Sequence, residues 1–159
     1  VIFLAEYFSE NPSPGAEIDR KSLGKEVLHA FKFICFTTQR QGSGLQLRSS
    51  ALTDIDGGKL AVWKSMKGGR EFALPIPQRV ISEIPPLQDT KGRNFVFKSF
   101  LKHETPVSRS ATYGVVKKLN QNGLFERNDI LYFSPHDMRR TLVEVLDDAG
   151  MPAGASAVL

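Results

Sequence analysis

The segment with the clearest helix signals reads Ser134-Pro135-His136-Asp137-Met138-Arg139-Arg140-Thr141. Ser134 can cap a helix, Pro135 suits its first position, and Asp137 completes a capping box with Ser134. Apolar residues then recur at helical spacing and predict a buried stripe: Met138, Leu142, Val145, Leu146 and Ala149. The predicted helix ends at Gly150, because glycine readily adopts the left-handed conformation common at helix C-termini.

His136 and Arg139 are three residues apart in this helix, so their side chains are neighbours on its surface. The free backbone N–H groups of a helix N-terminus attract anions, and an imidazole with a guanidinium adds charged donors. The pair therefore predicts a phosphate site. The alternative is a capped surface helix whose charges are solvated.

Composition limits the classes of function. The 159 residues suffice for one domain, and 21 Lys and Arg against 17 Asp and Glu give a net charge of +4, which permits a polyanionic partner without requiring one. Cys35 is the only cysteine, which excludes a disulfide framework and a thiolate zinc cluster. Its apolar neighbours predict a buried thiol. The lack of a second cysteine fits a reducing compartment, and we expect the cytoplasm. No apolar run approaches the roughly 20 residues that span a membrane.

The remaining pattern predicts a mainly helical α+β domain. A charged loop at residues 64–70 joins two short strands, and residues 39–52 are ambiguous. The predicted helices cover residues 18–36, 79–84 and 108–120, and the predicted strands cover 60–63, 71–76 and, as an edge strand, 94–97. Residues 54–58 are predicted as a turn and 122–133 as a connector.

Three basic motifs follow one another along the chain. Arg40 follows an apolar helix, Lys67 lies in the predicted hairpin loop, and His136 with Arg139 comes last. This order resembles the catalytic domain of the tyrosine recombinases, the phage-type integrases of bacteria, phages and mobile elements. The resemblance extends from Ala16 to the end of the chain. It implies a core of several helices with a small antiparallel sheet.

The resemblance also implies a chemistry: site-specific recombination of double-stranded DNA through a 3′-phosphotyrosyl link, without metal or cofactor. Carried over by motif, Arg40 and Arg139 clamp the phosphate oxygens, which is the type of contact that guanidiniums make best. Lys67 protonates the leaving 5′-oxygen, and His136 holds a phosphate oxygen or moves a proton. Lys64 is the alternative to Lys67.

Further contacts are expected around this centre. Lys64, Arg70 and Arg140 are predicted to bind DNA, and other integrase protomers are expected as partners in a synaptic complex. No membrane partner is expected.

The sequence departs from the family's pattern in several ways, among them the run Leu47-Arg48-Ser49-Ser50, where the family's tryptophan and closely following aspartate are missing. Ser43 stands where a glutamate is usual, three residues after Arg40. The three tyrosines, Tyr7, Tyr113 and Tyr132, all precede the His136 helix, whereas the family's nucleophile follows it. We therefore expect residues 1–159 to be a partial catalytic domain, without the nucleophile or the amino-terminal DNA-clamping domain, and inactive alone. The alternatives are a non-catalytic DNA-binding remnant or regulator, and an unrelated helical interaction module.

Overall fold

Three long helices form most of the core, and a small sheet lies beside them. The computed structural model describes residues 24–64, 71–91, 94–99 and 105–150. Its helices are α1 (Lys25–Thr37), α2 (Gln41–Leu45), α3 (Gln78–Glu83), α4 (Pro85–Gln88), α5 (Arg109–Gln121), α6 (Leu124–Arg127) and α7 (Pro135–Asp148). Its strands are β1 (Leu52–Ile55), β2 (Gly58–Lys64) and β3 (Glu71–Pro77), with a 3₁₀ turn at Ser49–Ala51. The predicted fold class, mainly α with a small antiparallel sheet, is confirmed.

Helix α1 is the central element of the core. It packs against α2, α4, α5 and α7. Its second half is apolar on nearly every side, as expected for a helix covered all round, and the rings of Phe33 and Phe97 lie 5.2 Å apart. Lys32 is the buried exception, and its ammonium group lies 3.7 Å from the Glu83 carboxylate of α3. Cys35 is buried, as predicted.

The sheet is an antiparallel meander in the order β1-β2-β3. The β1–β2 connection turns at Asp56 and Gly57, where Gly57 has a φ of +75° that a residue with a Cβ rarely adopts. Strand β3 alternates, with Leu74 and Ile76 pointing into the core. Both strands predicted on either side of the 64–70 loop are present.

Three sequence predictions are wrong in detail. The turn at residues 54–58 is shorter than predicted, because Asp54 pairs with Lys59 in the β1–β2 ladder. Residues 94–97 form only an isolated bridge, from Phe95 to Arg48, since no neighbouring strand extends the ladder. The connector at 122–133 contains α6, because Leu124 and Phe125 are drawn into the core.

The predicted helices are present, with different boundaries. Part of the first prediction lies outside the described residues. The helix predicted over 18–36 begins at Lys25, and residues 18–23 lie outside the described residues. The prolines at 85 and 86 end the preceding helix and begin α4, since proline suits the first turn. Helix α5 begins after Ser108, whose hydroxyl accepts a hydrogen bond from the Ala111 N–H, close to the predicted range.

Helix α7 begins as predicted, whereas its apolar stripe is only partly buried. Met138 packs in the core, while Val145 remains 55% exposed and Ala149 is also exposed. The helix meets α1 and α5, and the buried contact is made by the first turns. Gly150 follows the helix with a φ of +71°, which confirms the predicted glycine end.

Replacing two glycines by alanine should change the stability of the domain in opposite directions. Gly58→Ala should destabilise the domain by about 1–3 kcal/mol, because the new Cβ would overlap the carbonyl oxygen of Ile76 in β3. Gly114→Ala, in the middle of α5 with no atom near its Cβ position, should stabilise it by about 0.5–1 kcal/mol. Urea unfolding midpoints measure both changes, and equal effects of the two variants would contradict this packing.

Candidate functional site

An open cavity of about 330 Å³ lies where α1, α2, α5 and α7 meet. One wall is the chain from 39 to 43, which runs from the end of α1 into α2. The second wall is the start of α7, with Pro135, His136 and Arg139. The third is the first turn of α5, with Arg109 and Tyr113. No acidic side chain is among these lining residues, so the cavity is suited to an anion.

The end of α1 places Arg40 at this cavity. Thr38 adopts the left-handed conformation (φ 50°, ψ 21°) and stops the helix, so the chain turns sharply before α2. Arg40 then precedes the first residue of α2 and is exposed at the cavity. An arginine just after a helix can also cap its C-terminus, but the C-cap of α1 is Thr38 and Arg40 lines the cavity.

A hydrogen bond joins the first basic motif to the last. The Arg139 guanidinium donates from Nη1 to the Thr38 carbonyl oxygen at 3.1 Å. This bond links residues that are 101 positions apart in the sequence, and it leaves the other guanidinium donors of Arg139 for a ligand. Arg40 and Arg139 therefore line one cavity from different parts of the chain.

The electrostatics of this pair favour an anion between them. Partial burial lowers the pKa of Arg139, and the positive charge of Arg40 lowers it further. An arginine stays charged under such conditions, so the effect is a destabilised pair of like charges rather than a neutral group. A bound phosphate would remove this repulsion and pair with both guanidiniums.

The capping box of α7 holds His136 at the cavity rim. The Ser134 backbone N–H and hydroxyl both donate to Asp137 Oδ2, at 2.8 and 2.7 Å. These two bonds hold the pKa of Asp137 below its ordinary value, with a smaller contribution from the neighbouring charges of His136 and Arg140. His136, directly before Asp137, is exposed and lines the cavity.

The inner face of α7 is anchored through sulfur. Cys35 Sγ donates to Met138 Sδ at 3.6 Å, and burial raises the pKa of the Cys35 thiol. The thiol is therefore protonated and unreactive at neutral pH. Met138 directly precedes Arg139, so this contact and the Arg139–Thr38 hydrogen bond both tie the start of α7 to the end of α1.

Sequence reasoning missed several polar residues of the cavity wall. Arg109 and Tyr113 are one turn apart on α5, and their spacing was the only signal. Gln39 is 3% exposed, and its Nε2 finds no hydrogen-bond partner among the described residues. A polar residue directly after an apolar helix was the available signal for Gln39.

The other predicted residues lie elsewhere or are not described. Lys67 and Arg70 lie outside the described residues, and for Lys64 only its place at the end of β2 is described. Arg140 is exposed but does not line the cavity. Across the described ranges, no three His, Cys, Asp or Glu side chains are grouped so as to hold a metal ion. None of the described helices combines the length and apolarity needed to cross a bilayer.

Comparison with known families assigns this fold. The model of the phage integrase family matches residues 15–156, which is most of the chain. The chain belongs to the phage integrase family. The resemblance to tyrosine recombinases inferred from the motif order is thereby confirmed. No curated protein matches the sequence.

Solved recombinase structures share the fold of this integrase-family chain. The XerH site-specific recombinase bound to difH substrate, in a pre-cleavage complex, matches with a TM-score of 0.60 and 19% identity. The match covers 84% of this chain and 40% of that one. XerH bound to palindromic difH substrate, in a post-cleavage complex, matches with a TM-score of 0.59 and 20% identity, over 82% and 38%. This chain thus spans about two fifths of the XerH chain.

The capping box predicts a pH-dependent stability. Asp137→Ala should lower the free energy of unfolding at pH 7 by about 0.3–1 kcal/mol, because α7 loses its N-terminal carboxylate. The folded pKa of Asp137 lies below the unfolded one, so its contribution is complete above the unfolded pKa, near 3.9, and is lost as pH falls through the folded pKa. The two proteins should therefore converge in acid.

Urea unfolding from pH 7 to pH 3 measures this convergence. Asp147→Ala is the control, because it removes a carboxylate from the C-terminal end of the same helix, where the helix dipole disfavours it. Destabilisation by Asp147→Ala equal to that by Asp137→Ala would contradict the capping role.

Two glutamines test the cavity wall. Gln39→Leu should leave stability unchanged or raise it by up to about 1 kcal/mol, because a buried amide without a described partner is replaced by an apolar group of similar size. Gln41→Leu should cost about 0.5–1.5 kcal/mol, because Gln41 Nε2 donates to Thr112 Oγ1 at 2.7 Å. Thermal unfolding of both variants measures the difference, and a larger destabilisation by Gln39→Leu would show that its amide is already paired.

Proposed function

We propose that this chain is part of a site-specific recombinase and holds double-stranded DNA at the phosphate to be cut. Breaking and rejoining of the strand would proceed through a 3′-phosphotyrosyl link, with further protomers in a synaptic complex. The observation that carries this proposal is the meeting of Arg40 and Arg139 at one cavity without an acidic lining residue. Membership of the phage integrase family supports it.

The two arginines fit the electrostatics of phosphoryl transfer. Negative charge builds up on the non-bridging oxygens in the transition state, and donors already fixed around those oxygens stabilise it without reorganisation. Arg139 is held by the Thr38 carbonyl, and Arg40 stands at the entry to α2. Their mutual repulsion is present before DNA arrives, so the phosphate enters a site that is already charged.

His136 and Lys67 complete the proposed reaction. The tyrosine hydroxyl gives up its proton to solvent water as its oxygen bonds to phosphorus, the bond from phosphorus to the 5′-oxygen breaks, and the Lys67 ammonium group transfers a proton to that 5′-oxygen. His136 donates to a non-bridging oxygen from the cavity rim. We place the nucleophile outside the three tyrosines of this chain, because all of them precede α7.

A DNA-binding role without catalysis is the second candidate. Ser43 occupies the position where the family pattern places a glutamate, and it is 6% exposed on α2, beside Arg40. A serine cannot form the ion pair with an arginine that a carboxylate can. This substitution favours a protein that keeps the phosphate pocket and binds DNA without cutting it.

Binding to a labelled DNA duplex at several salt concentrations tests the pocket. Affinity should fall with salt, and Arg40→Ala or Arg139→Ala should each weaken binding and reduce the slope of log K against log salt by up to about 0.9, because the phosphate that the pair shares is less fully neutralised. Arg127→Ala is the control, since its guanidinium donates to the Asn122 carbonyl and does not line the cavity. Binding that ignores salt, or equal weakening in all three variants, would contradict the proposal.

Covalent capture on nicked duplex DNA tests the placement of the nucleophile. The 159-residue chain should give no protease-sensitive protein–DNA adduct, because an attacking oxygen must reach within about 3–3.5 Å of phosphorus in line with the leaving group. An adduct that disappears in Tyr113→Phe or Tyr132→Phe would place the nucleophile in this chain and overturn that part of the proposal.

A further inference from the structure

The cavity is larger than the phosphate proposed to occupy it. Its volume of about 330 Å³ corresponds to roughly ten water molecules at about 30 Å³ each, whereas a phosphate group replaces only a few. Arg40, His136 and Arg139 occupy two walls. The third wall, on α5, is not used by the reaction described above.

That third wall carries two side chains suited to a nucleotide. Arg109 and Tyr113 lie four residues apart on α5, so they share one face of the helix. Arg109 is exposed, and no described carboxylate lies within ion-pair distance of it. Tyr113 is 41% exposed, which is high for a large aromatic side chain in a folded domain.

A chain of hydrogen bonds fixes this wall relative to the arginine pair. Thr112, which directly precedes Tyr113 in α5, is fully buried. Its Oγ1 accepts from Gln41 Nε2 at 2.7 Å and donates to the Arg109 carbonyl at 2.8 Å. Gln41 directly follows Arg40, so the α5 wall and the Arg40 wall are held at a constant separation. A constant separation is what a site needs to bind two neighbouring groups on one strand.

We propose that Arg109 and Tyr113 form a second subsite, which binds the nucleotide unit adjacent to the phosphate held by Arg40 and Arg139. Arg109 pairs with the next phosphate along the strand, and the Tyr113 ring packs against the intervening deoxyribose. The subsite positions the strand and takes no part in bond breaking. It rests on the proposed function, because it assumes that the arginine pair binds a phosphate of DNA.

Two small ligands distinguish binding at one subsite from binding at both. Inorganic phosphate should occupy the arginine pair alone, whereas deoxythymidine 3′,5′-bisphosphate should reach both subsites. NMR titration of the 159-residue chain should show the bisphosphate binding about tenfold more tightly, as expected for one additional charged contact. Equal affinity for the two ligands would overturn the proposal.

Variants of Arg109 and Tyr113 test which side chain makes the bisphosphate bind more tightly than inorganic phosphate. Arg109→Ala should abolish the preference for the bisphosphate and leave the affinity for inorganic phosphate within about twofold of the wild-type value. Tyr113→Ala should reduce it, while Tyr113→Phe keeps it, because the ring and not the hydroxyl makes the contact. Lys117→Ala, one turn further along α5 and outside the cavity lining, is the control and should change neither affinity. An unchanged preference in Arg109→Ala would overturn the proposal, as would its disappearance in Tyr113→Phe.

The variant Arg40→Ala distinguishes failure of the second subsite from failure of the proposed function. Arg40→Ala should weaken both ligands if the pair binds phosphate. If Arg40→Ala changes neither affinity, or wild-type protein binds neither ligand, the proposed function fails and the subsite with it. If Arg40→Ala weakens both ligands while Arg109→Ala has no effect, only the second subsite is wrong.

Discussion

The candidate site depends on the hydrogen bond between the Arg139 guanidinium and the Thr38 carbonyl oxygen. It requires Thr38 to leave the helical conformation, because inside α1 that carbonyl would be directed along the helix. The left-handed conformation is costly for a β-branched residue, so the surrounding packing must hold it in place. Met138 packs on Cys35, three residues before Thr38, and so ties α7 to the end of α1. A local strain thus brings two distant motifs together.

The same site shows a conflict between stability and function. Arg40 and Arg139 raise each other's free energy while no anion is bound, and Gln39 buries an amide nitrogen that lacks a described partner. Each of these arrangements costs folding energy, and each is relieved by an acceptor with negative charge. Unfavourable contacts gathered at one cavity are more informative about function than the favourable contacts of the core.

The sheet and the helices have separate roles in this architecture. Helices α2, α5 and α7 supply every residue of the cavity wall apart from Gln39 and Arg40, which lie in the short turn between α1 and α2. The sheet lies beside the core, and its β2–β3 connection contains Lys67, which is not described. Among the described residues, the cavity is thus built by helices and a turn, without a strand residue.

The amino-acid sequence alone determined those elements that depend only on residues close together in the chain. The α7 cap at Ser134 and Asp137, the glycine end at Gly150 and the apolar α1 depend on neighbouring residues, so their patterns predict them directly. The strand β1, the helix α6 and the exposure of Val145 depend on which distant surfaces cover them, and no local pattern records that. The candidate site divides in the same way. Motif order indicated Arg40, His136 and Arg139, whereas Arg109, Tyr113 and Gln39 emerged only when tertiary packing brought three separate segments around one cavity.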